Sequence, residues 1–419
     1  MNTGIKQEQG QFFTPSPLTS FISKSLPIKE IIETKNNNKE IHILPYVIDY
    51  ACGSGHFLTE TMSEIHKYLA DYDEKNIKGG RTAIATFNKL KEEYGFAEEY
   101  IYGIEKDYRL AKTSKVSTIL NGDGLANVYC DDGLNSFSNY KEGYKKLHST
   151  KQRADNPNFD IVVANPPYSV DNFKDNMLDF GKESFELHNY LGKNANEIEC
   201  LFIERTKQLL KTGGVAGIVL PDTILSNSGK LHSKTRELIF KNFEIIGIVK
   251  LGGKTFMDAL IKTIILFLRK RESSYLEDIK DYVEKSLAEK KDYSINNISN
   301  PINEYLESIY EIGFKDFLSL LSYKPNENIT NSDIYEEYKE EFLTHLNEIK
   351  KTKDYQSAPN KEEFLSKVLI NHIIQTEKEK IAYYLASHGK KICIVKIPKD
   401  TEEQEQFLGY KISTSRGKE

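Results

Sequence analysis

The stretch Asp160-Ile161-Val162-Val163-Ala164-Asn165-Pro166-Pro167-Tyr168-Ser169 runs an apolar strand straight into two prolines. Each proline removes a backbone donor and fixes a torsion, so the loop is stiff. A stiff loop can hold the Asn165 amide oxygen and the Pro166 carbonyl as paired acceptors, with the Tyr168 ring alongside. That pair suits an exocyclic amino group attacking a methyl sulfonium, because its two protons are held while its lone pair is freed. A proline-capped strand with no ligand is the plainer alternative.

A second constellation lies upstream, in VIDYACGSGHFL (47–58). Asp49 ends a strand, and Gly53 and Gly55 let backbone approach a ligand where a side chain would block it. A dinucleotide site would need a third glycine and an acid about 20 residues further on. Instead His56 and Phe57 follow Gly55, and the acid after the next strand is Glu105. A tight turn without a ligand fits the glycines equally well. Glu105, in YGIEKD, is placed to accept ribose hydroxyls, or is a solvated strand-end acid. Asp123, in NGDGL, is placed to accept an adenine amino proton, or is a turn residue. Three acidic strand ends in succession favour a ligand at the carboxyl edge of a parallel sheet.

Elements must carry these residues there. From about Tyr46 to Arg269 short apolar runs alternate with amphipathic ones, the pattern of a parallel sheet covered by helices. Strands are predicted at 46–50, 100–106, 117–123, 160–166, 214–221, 245–251 and 262–270, and helices at 57–72, 108–115, 195–210 and 233–242. The expected fold is an α/β, doubly wound, seven-stranded Rossmann-like core. Residues 71–98 read as a helical insertion, 140–158 as a polar loop, and 169–194 as a mobile segment that could close over a substrate. Beyond Lys270 the spacing of Tyr310, Phe314, Phe317, Leu318 and Leu321 describes one buried helical face. Helical runs at 364–374 and 378–386 precede a strand-like KICIVKIP (391–398). The expected domains are an N-terminal segment 1–40, a core 41–272 and a mainly helical region 273–419.

Hydrophobic residues make up 39% of the 419 and charged residues 28%, which suits a soluble globular protein. No apolar run reaches the length of a membrane span and the N-terminus has no signal-peptide pattern, so a cytoplasmic protein is expected. Four scattered cysteines give neither a disulfide framework nor a zinc site, and no metal is expected. The net charge of -5 argues against a chain gripping nucleic acid over its whole surface. Two local basic clusters could contact phosphate: Lys145, Lys146, Lys151 and Arg153, then Lys230, Lys234 and Arg236. Either could equally be solvated.

Asn165 to Tyr168 resembles the NPPY motif of amino-group methyltransferases that use S-adenosyl-L-methionine, and Asp49 to Gly55 resembles their cofactor motif. QGQFFTPSPL (9–18) is similar to the motif upstream of the first strand in gamma-class adenine-N6 DNA methyltransferases. It is nearest the form found in the M (modification) subunits of type I restriction-modification systems. The resemblance covers roughly residues 7 to 270, in the gamma order of motifs. It implies that Asn165, Pro166, Pro167 and Tyr168 are catalytic, with Tyr168 stacking on a flipped adenine. It implies that Gln11, Phe12, Phe13, Thr14 and Pro15, with Asp49, Gly53, Ser54, Gly55, His56, Phe57, Glu105 and Asp123, hold S-adenosyl-L-methionine. The long interval from Asp49 to Glu105 makes Asp107 a substitute for Glu105. Phe256 is a second stacking candidate, or buried core.

By the same resemblance the partners are double-stranded DNA, a separate or fused specificity subunit and a restriction subunit, in a bacterial or archaeal cytoplasm. Such M subunits carry a helical region ahead of the FFTP motif, and the tail 402–419 resembles a segment near their C-terminal end. A piece of a longer protein is therefore expected. Two rival readings are a protein glutamine amide methyltransferase, since NPPY occurs there too, and a non-catalytic nucleotide-binding scaffold.

Overall fold

The computed structural model describes residues 14–93, 95–120, 126–150, 155–171, 173–174, 177, 182–192, 195–252, 255–256, 261–272, 275–295, 298–388 and 391–395. They form two compact units. One comprises the described residues up to 272 together with 391–395, and the other those from 275 to 388.

The first unit is built on one mixed sheet. Its strands are β1 (Val47–Asp49), β2 (Ile101–Glu105), β3 (Asn127–Cys130), β4 (Phe159–Ala164), β5 (Leu210–Pro221), β6 (Phe243–Lys250), β7 (Thr263–Lys270) and β8 (Cys393–Val395). They lie in the order β3-β2-β1-β4-β5-β7-β6-β8. Neighbours run parallel except β7, which is antiparallel to both β5 and β6. Every residue of β1, β2 and β4 is buried, as helix-covered parallel strands require. The covering is apolar with a few paired polar groups. Phe202, on the Ile198–Leu209 helix, stacks on Tyr50 with ring centroids 5.2 Å apart. Ser23 of the Ser16–Ser25 helix meets Thr61 of the His56–Asp71 helix at 3.1 Å.

The strand order reverses between β1 and β4. From β1 the chain moves outward to β2 and β3, then returns to the other side of β1 as β4. Parallel sheets open a crevice at the carboxyl ends of strands at such a point, and ligands bind there. Val47 pairs with Ile161 and Ile48 with Val162, so Asp49 is level with Val163, and Asn165 follows just past the end of the neighbouring strand at the same edge.

Three sequence expectations are corrected. Of the expected strand 117–123, residues 117–120 are instead the end of the helix Tyr108–Leu120. Its buried face is the small-residue row Ala111, Ser114 and Thr118, while Val116, Ile119 and Leu120 point outward and gave the segment its apolar look. The third strand is the four-residue NVYC. The sheet has eight strands rather than seven, since Cys393–Val395 adds to the β6 edge and so belongs with the first unit. Residues 182–192, expected to be mobile, are tied to the Ile198–Leu209 helix: Glu204 accepts the amides of Glu186 (2.7 Å) and Leu187 (3.0 Å), and Gln208 donates to the Ser184 carbonyl at 2.6 Å.

The second unit is helical, with principal helices at Tyr275–Ala288, Pro301–Tyr310, Phe314–Leu321, Asp333–Ile349 and Lys361–Ser387. The single face expected over 310–321 is broken, since Glu311 takes a left-handed φ of 56° and Gly313 caps the next helix. The two runs expected at 364–386 are one helix of 27 residues. Fully buried Glu377 accepts the hydroxyls of Tyr305 (2.8 Å), Tyr310 (2.9 Å) and Tyr338 (2.5 Å) and pairs with Lys380 at 3.0 Å. Every member of that group has a partner, the condition under which a buried polar network specifies one packing. No helix among the described residues is long and apolar enough to cross a membrane.

Candidate functional site

At the carboxyl end of β1 the chain turns sharply into the His56–Asp71 helix. The Cys52 amide donates to the Ile104 carbonyl of β2 (2.9 Å) and the Gly55 amide to the Cys52 carbonyl (2.7 Å). Both glycines sit in the left-handed region, Gly53 at φ 52° and Gly55 at φ 88°. A Cβ on Gly55 would stand 2.4 Å from Ser114 Oγ, whereas one on Gly53 would meet nothing within 4 Å. The turn is therefore closed on the helix side and open at Gly53. We expect Gly53→Ala to cost about 1 kcal/mol for its φ alone, and Gly55→Ala more than about 2 kcal/mol for φ and collision together. Urea unfolding of the two variants checks this, and equal losses would contradict the packing.

Two carboxylates face the turn. Glu105, closing β2, accepts the Gly53 amide at 2.8 Å and the Asp107 amide at 2.7 Å. Burial pushes its carboxyl upward, those amides offsetting part of the shift. Asp107 turns to its own helix, where its Oδ1 accepts the amides of Leu110 and Arg109. The Leu110 bond, with its neighbour, holds that carboxyl below the usual range. Glu105, not Asp107, thus touches the glycine turn. Asp49 is 1% exposed; its Oδ1 accepts the Ala51 amide at 3.0 Å, and its buried Oδ2 has no hydrogen-bond partner among the described residues. Burial pushes the Asp49 carboxyl well above the carboxylate range, and the Glu105 charge adds to the shift.

Beside it, β4 delivers Asn165. The Asn165 amide nitrogen donates to Thr14 Oγ1 at 3.0 Å, so the segment ahead of the first described helix reaches the proline turn. The Asn165 Oδ1 is buried with no hydrogen-bond partner among the described residues. Pro166 is buried and Pro167 half-buried. Tyr168 is only 2% exposed, and burial pushes its phenol up, with the Glu199 charge adding to it. The turn ends on Ser169 at φ 56°, strained for a residue with a Cβ. Its amide donates to Glu199 Oε2 at 3.2 Å, and the Val170 amide to the Asn196 carbonyl at 2.9 Å.

The structure thus brings Thr14, Asp49, Gly53, Gly55, Glu105 and Asn165 to one edge. Pro15 starts the first helix by accepting the Leu18 and Thr19 amides. Ser54 is half-buried, His56 exposed and Phe57 buried in the core, as is Phe256 at 7% exposure. Gln11, Phe12, Phe13, Asp123, Lys151 and Arg153 lie outside the described residues. The described part of the first basic cluster lies away from Asn165. Lys145 donates to the Glu98 carbonyl at 2.9 Å and Lys146 lies 3.9 Å from the Tyr46 ring centre, which places both before the starts of β2 and β1, at the edge opposite Asn165. In the second cluster Arg236 is occupied by the Ile224 (3.0 Å) and Asn227 (2.8 Å) carbonyls. Lys230 and Lys234 sit on a helix that begins beyond the carboxyl end of β5, 5.5 and 5.8 Å from the Tyr190 ring centre.

Two features escaped sequence reasoning. With β3 at 127–130, the acidic strand end is Asp131-Asp132, and the following Gly133 passes so near β1 that a Cβ there would stand 2.3 Å from the Tyr50 carbonyl oxygen. The signal was the DDG after a short alternating NVYC. The other is Glu199, a 2% exposed acid behind the proline turn whose carboxyl burial raises to about 7. An acid in the first turn of a helix that also carries Glu204, Arg205 and Lys207 was its only sign.

Comparison with known proteins gives this geometry a context. The chain is 27% identical over 289 residues to the type II restriction enzyme and methyltransferase RM.Eco57I of Escherichia coli, covering 62% of this chain and 28% of that protein. It is 22% identical over 382 residues to the type I restriction enzyme MjaVIII methylase subunit of Methanocaldococcus jannaschii, covering 85% and 57%. Among solved structures, the type I restriction enzyme EcoKI M protein aligns at 19% identity with a TM-score of 0.38, over 62% of this chain and 44% of that one. The chain thus spans from 28% to 57% of the length of these two curated relatives. The family model for N-6 DNA methylases matches residues 2–333, and the chain belongs to that family.

Proposed function

We propose that this chain transfers a methyl group from S-adenosyl-L-methionine to the N6 amino group of an adenine flipped out of duplex DNA, as the modification component of a restriction-modification system. The observation that carries the reading is a pair of buried acceptors at the strand-order reversal. Asp49 Oδ2 and Asn165 Oδ1 stand at the ends of adjacent strands, each without a hydrogen-bond partner among the described residues. A buried polar atom left unpaired is costly, so a ligand that donates to both would repay that cost. S-adenosyl-L-methionine, a cation at sulfur with N–H and O–H donors, fits the Asp49 side, and an exocyclic amino group fits the Asn165 side.

The residues divide the work. Asp49 and Glu105, with Gly53, Ser54, Gly55 and His56, would hold the cofactor on the β1–β2 side. Thr14 and Pro15, with Gln11, Phe12 and Phe13 ahead of them, would close over it. Asp131 or Asp132 takes the β3 position expected of Asp123. When bound, S-adenosyl-L-methionine supplies the electrophilic methyl carbon. Asn165 Oδ1 and the Pro166 carbonyl accept the two amino protons, which orients the nitrogen lone pair and raises its nucleophilicity. Catalysis is then positioning and fixed dipoles rather than covalent chemistry. Stacking on the base requires the Tyr168 ring to leave the pocket it fills.

Lys230 and Tyr190 offer charge and an aromatic face at the same edge for the DNA backbone, while Lys234 beside them is paired with Glu237 at 2.7 Å. The net charge of -5 leaves much of the holding to others. We assign sequence recognition to a separate or fused specificity subunit, with a restriction subunit as a further partner. Supplying labelled S-adenosyl-L-methionine and duplex DNA to the chain with its specificity subunit tests the reading. The label should appear in N6-methyladenine after digestion to nucleosides; label on a protein glutamine, or no label in DNA, overturns it.

A further inference from the structure

Glu199 has no part in the chemistry above, yet it touches the end of the proline turn. Its side chain is 2% exposed, in the first turn of the Ile198–Leu209 helix, and its Oε2 accepts the Ser169 amide at 3.2 Å. Ser169 is the residue at which the turn bends into the left-handed region, φ 56°, a conformation strained for a residue with a Cβ. Such a bend persists only where neighbours over-determine it, and the two acceptors that do so here are Glu199 Oε2 and the Asn196 carbonyl, on the next amide. Both belong to the entrance of one helix.

We propose that Glu199 is a positioning residue for methyl transfer: by accepting the Ser169 amide it locks the left-handed bend that ends the Asn165–Tyr168 turn, and so fixes where Asn165 Oδ1 points. Between Asn165 and Ser169 lie two prolines with little torsional freedom. A displacement at Ser169 is therefore transmitted to Asn165 instead of being absorbed. Tyr168, adjacent to the bond, feels the Glu199 charge directly.

The energetics speak against a purely structural purpose. Among the described residues no cation forms an ion pair with Glu199; only its own amide and that of Ser169 offset its burial, and the Glu197 charge repels it. Burial holds its carboxyl at about 7, which means that the fold disfavours the ionised side chain. An apolar residue of similar size would cost the core less, as replacements of buried charged groups often show. A group that burdens the fold while touching the catalytic turn is better explained by the turn.

The inference rests on the proposed methyl transfer, but one of its readouts does not. In the full chain, Glu199→Met removes the acceptor and keeps the volume, while Glu199→Gln keeps a carbonyl oxygen for the Ser169 amide. For Glu199→Met we expect hydrogen-exchange protection at Ser169 to fall about tenfold and kcat to fall about tenfold, as loss of one such hydrogen bond would give. The KM for S-adenosyl-L-methionine should stay within about twofold and the melting temperature should not drop. Glu199→Gln should restore protection and kcat to within about threefold of the parent. The proposal is overturned if Glu199→Met keeps both, if Gln fails to restore them, or if kcat falls only in step with melting temperature. Should the parent chain transfer no methyl to DNA, the proposed function fails, while exchange at Ser169 still decides whether Glu199 holds the turn.

Discussion

Asn165→Ala should lower methyl transfer to DNA by about 10³ while leaving the chain folded and S-adenosyl-L-methionine binding within a few-fold. The magnitude is that of deleting one oriented polar group from a site where charge develops in the transition state. The fold should hold because the Asn165 side chain contributes only a hydrogen bond to Thr14 and one to the Tyr168 phenol, while its buried Oδ1 has no partner among the described residues. Removing the side chain thus removes an orphaned acceptor along with two bonds of about 1 kcal/mol each. Asn165→Asp, which keeps an acceptor oxygen, should retain more activity than Ala. Thr14→Val, which frees the amide nitrogen without touching the acceptor, should cost about tenfold. Labelled-methyl transfer and thermal melts on the same preparations check the series. Transfer by Asn165→Ala within tenfold of the parent would place the chemistry elsewhere.

How far the fold could be read from the chain depends on whether each segment's own pattern matched its burial. The central strands could be read because both faces are covered and the residues are apolar throughout, as in Phe159–Ala164. Strand β3 could not. Its four residues are buried at Asn127 and Val128, half-buried at Tyr129 and exposed at Cys130, and the Asn127 side chain is satisfied by the carbonyls of Glu98 and Ile101, a tertiary fact. The neighbouring STIL took the strand assignment because its apolar residues face outward on a helix whose packed side is small. A helix that must lie against a glycine turn buries Ala111, Ser114 and Thr118 there, and this inverts the usual apolar signature. Likewise Cys393–Val395 read as a strand, but nothing local says that it adds to β6 after an intervening helical unit.

The candidate site could be read where residue types appear that structure alone rarely needs. Two prolines after a buried strand and glycines at two left-handed positions are such choices, and the structure brings Asp49 and Asn165 to the ends of adjacent strands. What stayed hidden depends on pairing in space. Lys145 and Lys146 read as candidates for phosphate contact, and the structure places one against a carbonyl and the other against an aromatic ring at the far edge of the sheet. Charge in sequence says nothing of which end of a strand it borders. Glu199 was hidden for the converse reason, since one acid among several charged residues of its helix gives no hint that it answers a strained amide 30 residues earlier.

Asp49→Asn should separate binding from stability in opposite directions. The carboxyl of Asp49 is raised well above its ordinary 3.8, chiefly by burial. A carboxyl raised on folding favours the folded state fully at pH below that ordinary value, and the advantage is lost as pH climbs through the folded value. In that window each pH unit removes about 1.4 kcal/mol for one proton. The parent chain therefore carries near neutrality a penalty that asparagine, which cannot ionise, does not. Melting curves of parent and variant should coincide near pH 4 and diverge as pH rises towards 8, with the variant the more stable. S-adenosyl-L-methionine binding, followed by calorimetry, should weaken about a hundredfold, because the Oδ2 acceptor becomes an amide donor facing donors of the ligand and a charge-assisted bond is lost. A variant that melts below the parent at every pH would show that Asp49 is held ionised and paired by the fold itself. Undiminished binding would show that its open oxygen does not face the cofactor. The combination of raised stability and lost binding is the mark of a residue selected for what it holds, at the expense of the core that surrounds it.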